Sequence, residues 1–282
     1  MRHPTTRAIH ADPGREARLQ ALLAAGGGLR WRAAVAGAGV AGTLLYAATE
    51  FGLLGMQFVD GLGNLGSALV MMLPPSGYDQ LPTFGWALLE TVAMALLGTA
   101  LAAALAAPLA LLAARTTCPL GILQFGFRRF ADSLRALDYL IWALVFVRAV
   151  GLGPLAGILA IAVVDLGTLI KLFSEAIDNT PRGPVEGVRA TGGRRLDQVL
   201  YGMAPQVLPT MVSAALYMWE SNTRSATILG IVGAGGIGYY LADRLRVYEW
   251  GEASLLILLI LVAVYLIDIV ASRLRARLIR GA

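Results

Sequence analysis

The stretch from Phe84 to Ala114 reads FGWALLETVAMALLGTALAAALAAPLALLAA and contains a single charged residue, Glu90. A helix needs roughly 20 apolar residues to cross the hydrocarbon core of a bilayer, so this stretch can cross it and still tilt or extend beyond it. The whole chain has the same character: 57% of its 282 residues are hydrophobic and 15% are charged, with a mean hydropathy of +0.68. Because soluble domains carry about 25% charged residues, an ordinary soluble globular protein is excluded.

Apolar segments on both sides of this stretch predict an all-α, polytopic membrane protein of about six transmembrane helices. The segment from Ala131 to Phe173 is too long for one span, and it contains the turn signal Gly151-Leu152-Gly153-Pro154. We therefore divide it into a helical hairpin at that turn. The other predicted spans are Ala33 to Thr49, a span that starts with Gln206 to Trp219 and can extend through Arg224, and Ala253 to Ser272.

The basic residues predict the orientation of these spans, because short loops rich in arginine stay on the cytoplasmic side of a membrane. With both termini in the cytoplasm, 18 of the 23 basic residues lie inside, and the predicted outer loop from Phe58 to Thr83 has none. This orientation gives a cytoplasmic N-terminal tail at 1–32, a first transmembrane helix with an outer loop at 33–83, and a membrane core at 84–280. The net charge of +5 is then an inward bias of arginine, and no nucleic-acid partner is expected.

The chain lacks the residues that most catalytic and cofactor sites require. Its only lysine, Lys171, is followed by leucine, so no phosphate-binding loop ending in Gly-Lys-Ser/Thr is present and the chain does not bind ATP in that way. One cysteine, Cys118, and two histidines in the N-terminal tail, His3 and His10, have no metal-ligand spacing. We expect no metal, no bound cofactor and no covalent chemistry in this chain.

The longest polar insertion between predicted spans runs from Ser174 to Pro205 and reads SEAIDNTPRGPVEGVRATGGRRLDQVLYGMAP. Its helix-forming stretches and turn signals predict short helices that lie across the inner face. Gly192 suits a C-terminal position with positive φ, and Glu186 falls in the first turn of the preceding helix, where a negative charge is favourable. Arg189 can face an acidic partner or lipid headgroups. A docking element and an ordinary solvated loop both fit these features.

The stretch from Trp219 to Tyr240, WESNTRSATILGIVGAGGIGYY, contains a literal GxGxxG that begins at Gly233. A dinucleotide-binding fingerprint also needs an acidic residue about 20 positions further on, after a helix. Here an apolar span follows, with nothing acidic between Glu252 and Asp268. We therefore favour glycines that turn the backbone sharply and let helices pack closely.

The inner loop resembles the EAA loop of ABC-importer permeases, which seats in a groove of the cytoplasmic ATPase subunit. The resemblance rests on Glu186-Gly187-Val188, on Gly192 and on Ala204-Pro205; the sequence departs from the pattern at Gly187, Val188, Gly202 and Ala204. This resemblance implies that the ATPase-coupling residues are Glu186, Gly187, Arg189, Gly192 and Pro205.

The glycine-rich stretch, ESNTRSATILGIVGAGGIG from Glu220, resembles the permease subunit of phosphonate-type ABC importers. The resemblance extends from Phe84 to Arg280 and includes ETVAMALLGT at Glu90 and WALVFVRAVGLGP at Trp142. Permeases for methionine and other solutes share the glycine-rich part. The resemblance implies a type I ABC importer permease fold in a bacterial plasma membrane. It also implies three partners: a second copy of the chain, a dimer of cytoplasmic ATP-binding subunits and a periplasmic solute-binding protein.

One charge, Asp165, falls inside a predicted span and needs a partner. It lies about 20 Å below the turn near Gly151, whereas Arg148 lies only about 5 Å below it, so the two cannot pair within the hairpin. Asp165 is therefore protonated, paired with another helix or subunit, or lining a wet cavity of the translocation path, and these alternatives stay open.

A second group of polar residues lies in the span that starts near Gln206. If that helix is continuous, Arg224 stands about 27 Å above its inner end, close to the outer boundary. Glu220 lies one turn below, in the order that favours an i,i+4 ion pair. Either the pair only neutralises itself, or Arg224 together with Asn222 offers hydrogen-bond donors to a passing phosphonate or phosphite oxyanion.

The function expected from the sequence is import of phosphonate or a related phosphorus oxyanion such as phosphite, by alternating access driven by a separate ATPase. The alternatives are a permease for another small solute such as methionine, a secondary transporter with Asp165 as its proton site, and an intramembrane enzyme. The enzyme would need Asp165 and Glu90 to act together, but their predicted depths of about 20 Å and about 9 Å differ.

Overall fold

The computed structural model describes residues 31, 34–52, 56–118 and 120–280. The predicted tail at 1–32, with His3 and His10, lies outside the described residues except for Trp31. Every regular element of the described chain is helical, which confirms the all-α prediction. The chain divides into two units, Met1–Leu69 and Val70–Ala282, which are described separately.

The first unit contains helix α1 (residues 34–50) and most of α2 (Met56–Met71). The described part of α1 coincides with the first predicted span. The predicted outer loop is wrong at its start, because 56–71 form a helix in spite of several glycines. The sequence does contain a pattern that indicates this helix, namely a helical spacing of apolar residues at Phe58, Leu62, Leu65 and Leu69.

Four described helices of the second unit are long and apolar enough to cross a membrane. They are α3 (Leu81–Ala113), α6 (Pro154–Asp178), α9 (Ala204–Leu229) and α11 (Trp250–Arg280). The 25 residues of α6 rise about 37 Å, which exceeds the hydrocarbon core. The quoted apolar stretch is thus confirmed as α3, and the span that extends through Arg224 is confirmed as α9.

The predicted span that begins at Ala131 is not a single helix. Its first residues belong to α4 (Gly121–Leu134), and its remainder forms α5 (Tyr139–Val150), only 12 residues long. The chain breaks between them because the Asp138 carboxylate caps α5 by accepting a hydrogen bond from the Leu140 amide at 3.0 Å. The hairpin turn itself is confirmed, with φ of 94° at Gly151 and α6 beginning at Pro154.

Helices α3 and α6 pack through small residues. The buried face of α3 has an alanine, threonine or glycine at nearly every third or fourth position: Ala87, Thr91, Ala95, Gly98, Ala102, Ala106 and Ala110. A Cβ atom at Gly98 would lie 2.8 Å from the Cβ of Ile161 on α6. The two backbones therefore approach as closely as small residues permit, as is typical of helices packed in membranes.

Asp178, at the end of α6, ties three helices together at one end of the bundle. Its carboxylate accepts hydrogen bonds from the backbone amides of Arg115 at 2.7 Å and Thr116 at 3.1 Å, just after α3. It also accepts one from the guanidinium of Arg128 on α4 at 3.0 Å. Because α6 continues to Asp178, the first five residues of the predicted inner loop at 174–205 are helical, and the loop proper begins at Asn179.

The loop proper contains α7 (Gly183–Ala190) and the short α8 (Arg195–Asp197), and a π-helical turn (Gln198–Met203) leads into α9. A second π-helical turn (Gly230–Ala234) follows α9 and leads through a glycine loop into α10 (Ile237–Arg246).

The glycine loop confirms the packing interpretation of its sequence. A Cβ atom at Gly238 would lie 1.8 Å from the carbonyl oxygen of Thr227, so no other residue fits there. The backbone amide of Ile237 donates a hydrogen bond to the Thr91 hydroxyl of α3 at 2.8 Å. The described residues of this segment contain no strand, so the dinucleotide-binding interpretation has no structural basis.

We predict that Gly98→Ala destabilises the second unit by about 1–3 kcal/mol, because the added methyl group must displace Ile161 from a close-packed contact. The measurement is the midpoint of thermal unfolding of the purified protein in detergent. Gly85→Ala is the matched control on the same helix, since no atom lies within 4 Å of a Cβ at that position. An equal or higher midpoint for Gly98→Ala would contradict the packing analysis.

Candidate functional site

A cluster of four polar side chains lies in the interior of the second unit, one from each of α3, α5, α6 and α9. The Asp165 carboxylate of α6 accepts hydrogen bonds from the Tyr139 hydroxyl at 3.0 Å and from the Thr99 hydroxyl at 3.3 Å. The Asn222 amide of α9 donates both to Asp165 and to Thr99, the latter at 2.7 Å. Asp165 and Asn222 are completely buried.

The cluster shows that Asp165 is hydrogen-bonded to other helices. Its partners are uncharged groups on three other helices of the same chain. Asp165 lies about 16 Å from Pro154 and about 20 Å from Asp178, near the middle of α6. Thr99 and Tyr139 are not among the site residues predicted from the sequence. A carboxylate at this depth requires polar partners on neighbouring helices, which is the signal that could have indicated them.

Glu220 does not pair with Arg224, and the predicted i,i+4 ion pair on α9 is wrong. Its carboxylate lies 2.7 Å from the guanidinium of Arg275 on α11. Both side chains are largely buried, with exposed fractions of 12% for Glu220 and 21% for Arg275. The neighbouring helix provides a buried partner, whereas Arg224 points to the exposed side of α9. Arg275 therefore differs from Arg273 and Arg277, the neighbouring arginines of the C-terminal segment, which are exposed.

Arg224 lies in the last third of α9. It is two residues, or about 3 Å, beyond Asn222, whose amide contacts Asp165 near the middle of α6. Arg224 is therefore about 13 Å from the level of Pro154, where α6 begins. The continuous helix expected around Arg224 is confirmed as Ala204–Leu229, and the position of Arg224 close to the outer boundary stays a prediction.

Three polar residues form a stripe along the exposed side of α9, which is otherwise largely apolar. Thr210, Tyr217 and Arg224 are exposed and follow each other at intervals of seven residues, which places them on one face. Ser213 is half-buried at the edge of this face. Asn222 faces the opposite way, into the buried cluster. The predicted site residues on α9 thus separate into an interior residue, Asn222, an ion-paired residue, Glu220, and an exposed residue, Arg224.

The predicted coupling residues lie on and around α7. Glu186 is in the first turn of this helix, and Gly192 follows its end with φ of 82°, so both placements predicted from the sequence are confirmed. The side chains of Glu186 and Arg189 are exposed, as are Gly187 and Gly192. Pro205 lies apart from them, exposed in the first turn of α9.

Gly202 explains one departure from the family pattern of this loop. A Cβ atom there would lie 2.8 Å from the Cα of Val185, so α7 rests directly on the π-helical turn before α9. Two grooves flank α7, with volumes of about 410 and 490 Å³. Arginines line both of them: Arg115, Arg182, Arg189 and Arg195. This end of the bundle therefore presents a positive surface around an exposed helix.

Comparison with known proteins identifies a family and relatives with similar sequences. Residues 106–282 match the family described as binding-protein-dependent transport system inner membrane component. A putative phosphite transport system permease protein of Stutzerimonas stutzeri, HtxC, is 40% identical over 76% of this chain and 76% of its own length. A putative cryptic phosphonate transport system permease protein of Escherichia coli, PhnE2, is 47% identical over 43% of this chain and 99% of its own length.

Solved structures show the same fold. A chain of the MetNI methionine ABC transporter in an inward-facing form matches with a TM-score of 0.63 and 21% identity, covering 72% of this chain and 99% of that one. An amino acid ABC transporter with histidines matches with a TM-score of 0.59 and 15% identity, covering 71% of this chain and 95% of that one. The chain thus belongs to the binding-protein-dependent transport system inner membrane component family, and it is a multi-pass permease subunit of an ABC importer.

Proposed function

We propose that this permease imports a small phosphorus oxyanion of the phosphonate or phosphite type. The observation that carries the proposal is its 40% identity, over 76% of the chain, to a protein named as a putative phosphite permease. Arg224 supports it, because an exposed guanidinium on a membrane-spanning helix suits an oxyanion that must be bound and released. A permease for another small solute, such as methionine, is the alternative.

The working transporter contains two copies of this chain. An arginine at the centre of a membrane-spanning helix costs about 2.5–3.5 kcal/mol when it faces lipid, and Arg224, five residues before the end of α9, bears part of that cost. A second copy packed against the polar face of α9 removes that cost and encloses a polar path between the subunits. Thr210, Tyr217 and Arg224 then line the path, with Asn222 and Asp165 directly behind them.

The end of the bundle that carries α7 faces the cytoplasm and binds the ATP-binding subunits. Glu186, Gly187, Arg189, Gly192 and Pro205 form the coupling surface. The arginines around α7 suit an acidic groove on the partner, since complementary charge speeds and orients docking. Both chain termini lie on this side, and a solute-binding protein docks on the opposite side. The core at 84–280 carries transport, with the tail at 1–32 and the segment 33–83 as additions.

This chain moves its solute without covalent chemistry, and ATP is bound and hydrolysed by the partner subunits. The enzyme alternative required Glu90 and Asp165 to act as a pair. A Cβ atom at Gly235 would lie 2.9 Å from a carboxylate oxygen of Glu90 and 3.3 Å from the backbone nitrogen of Pro154, so Glu90 lies near the start of α6. Asp165 is about 16 Å further along that helix. The secondary-transporter alternative is weakened by the hydrogen bonds that fix Asp165 to three other helices.

We expect the permease to co-purify with an ATP-binding subunit whose ATP hydrolysis is stimulated by a binding protein loaded with phosphite or methylphosphonate. The measurement is ATPase activity of the complex in proteoliposomes, with methionine-loaded binding protein as the comparison. If only the methionine-loaded binding protein stimulates ATP hydrolysis, the transported solute is methionine and not a phosphorus oxyanion. Solute uptake by the isolated chain without any ATPase would favour the secondary transporter.

Arg224→Ala should abolish uptake of phosphite or methylphosphonate while leaving assembly with the ATPase intact, because Arg224 is exposed and forms no hydrogen bond or ion pair with the residues that the structure describes. Uptake into proteoliposomes and gel filtration of the complex measure the two properties. Arg224→Lys, which retains the charge but not the planar donor pair, should keep partial uptake. Normal uptake by Arg224→Ala would remove this residue from the path.

Gly192→Trp should uncouple ATP hydrolysis from delivery of solute by the binding protein. The new residue must adopt a positive φ, which distorts the end of α7, and its ring would project from the coupling surface. Gly121→Trp is the control, since it places the same bulk at an exposed helix start outside α7. Unchanged stimulated ATPase activity in Gly192→Trp would refute the coupling role.

A further inference from the structure

The ion pair between Glu220 and Arg275 lies at an unusual depth. Glu220 is two residues, or about 3 Å, before Asn222, which contacts Asp165 near the middle of α6. Ionised side chains at such a depth are costly, and where they occur they pair or face a cavity that carries polar solutes. This pair connects α9 to α11, and Arg275 also lines a groove on the surface of the bundle.

This groove of about 630 Å³ lies between α6, α9 and α11. Arg275 lines one side, Thr210, Ser213 and Tyr217 lie along α9, and the rest of the lining, with Pro209 and Ala214, is largely apolar. Gln206 and Leu172 complete the end nearest the inner loop. The groove therefore runs about 16 Å along α9, from below the ion pair toward the end of the bundle that carries α7.

Arg275 retains hydrogen-bonding capacity that the described residues do not use. One terminal nitrogen, Nη2, donates to Glu220, whereas the other, Nη1, is buried and has no acceptor among the described residues. A buried donor without an acceptor is unfavourable. Arg275 of α11 and three hydroxyl-bearing residues of α9 all line the groove, so an acceptor group bound there meets donors from two helices.

We propose that this groove binds a tetrahedral phosphorus oxyanion during its passage to the cytoplasm, with Arg275 as the charged contact and Thr210, Ser213 and Tyr217 as neutral donors. The proposal rests on the proposed function and names residues for it. Glu220 holds the guanidinium in position when the groove is empty. Its negative charge also competes with the oxyanion, which keeps binding weak enough for release.

The effect of Glu220→Gln distinguishes this proposal from a purely structural role of the ion pair. If Glu220 competes with the oxyanion, Glu220→Gln should tighten oxyanion binding and slow its release. If the pair only holds α9 to α11, Glu220→Gln and Arg275→Gln should weaken assembly alike. A double variant, Glu220→Gln with Arg275→Gln, preserves a neutral hydrogen-bonding pair and shows whether the fold tolerates the loss of both charges.

The experiment measures binding of radiolabelled inorganic phosphate and methylphosphonate to the purified permease–ATPase complex in phosphatidylcholine nanodiscs. We expect Arg275→Gln to raise the dissociation constant about tenfold and Glu220→Gln to lower it about tenfold. Arg273→Gln and Arg277→Gln, on the exposed side of the same helix, should bind as the wild type does. Gel filtration of each variant confirms assembly.

Unchanged binding in Arg275→Gln, or equal weakening in both single variants, would overturn the proposal. Loss of phosphate binding when phosphatidylglycerol is added to the nanodiscs would assign the groove to a lipid headgroup and would also overturn it. Failure of the proposed function gives a different result, because the wild-type complex would then be stimulated by another solute and would bind neither probe.

Discussion

The hydrogen bonds to the buried carboxylate of Asp165 are the constraint on which the arrangement of the bundle depends. In an apolar interior no water satisfies this group, so donors must reach it from neighbouring helices. They come from α3, α5 and α9, through Thr99, Tyr139 and Asn222. Packing through alanine and glycine brings helices close but is uniform along their length. A shift of one residue, about 1.5 Å, keeps such packing almost unchanged but breaks the hydrogen bonds. The polar cluster therefore fixes the register of four helices.

The second interior contact, between Glu220 and Arg275, fixes α11 at nearly the same depth. These two contacts thus lie within about one helical turn of each other. Toward the inner loop, alanines of α3 pack against larger apolar residues of α6, down to Asp178 and its ion pair with Arg128. Toward the opposite end, Ile237 is held by Thr91, and Arg244 pairs with Glu252. Polar contacts therefore fix the middle of the bundle and both of its ends.

Apolar length alone predicted the spanning helices, because the bilayer requirement is a simple one that α3, α6, α9 and α11 each meet. The sequence could not predict which charges would pair. Glu220 has a favourable partner one turn away in Arg224, and only the packing of α11 against α9 shows that Arg275 takes its place. Arg275 continues a buried face with Ile267 and Ala271 at intervals of four, but this spacing is hidden among three neighbouring arginines. Likewise, the end of α4 and the start of α5 depend on a local cap at Asp138, which a count of apolar residues cannot detect.

The two ends of α9 differ from its middle in a way that bears on movement. Both are π-helical turns, Gln198–Met203 and Gly230–Ala234, and such turns are rare and frequently lie at functional sites. Between them, Asn222 holds the helix to Asp165. At the first turn, Gly202 lies so close to Val185 that α7 has no room to move without displacing the start of α9. A displacement of α7 therefore reaches the start of α9 through backbone contact, and a tilt of α9 about Asn222, seven residues before its end, is compatible with these contacts. Such a tilt moves its two ends in opposite directions, which is the motion that opening one side of a path while closing the other requires.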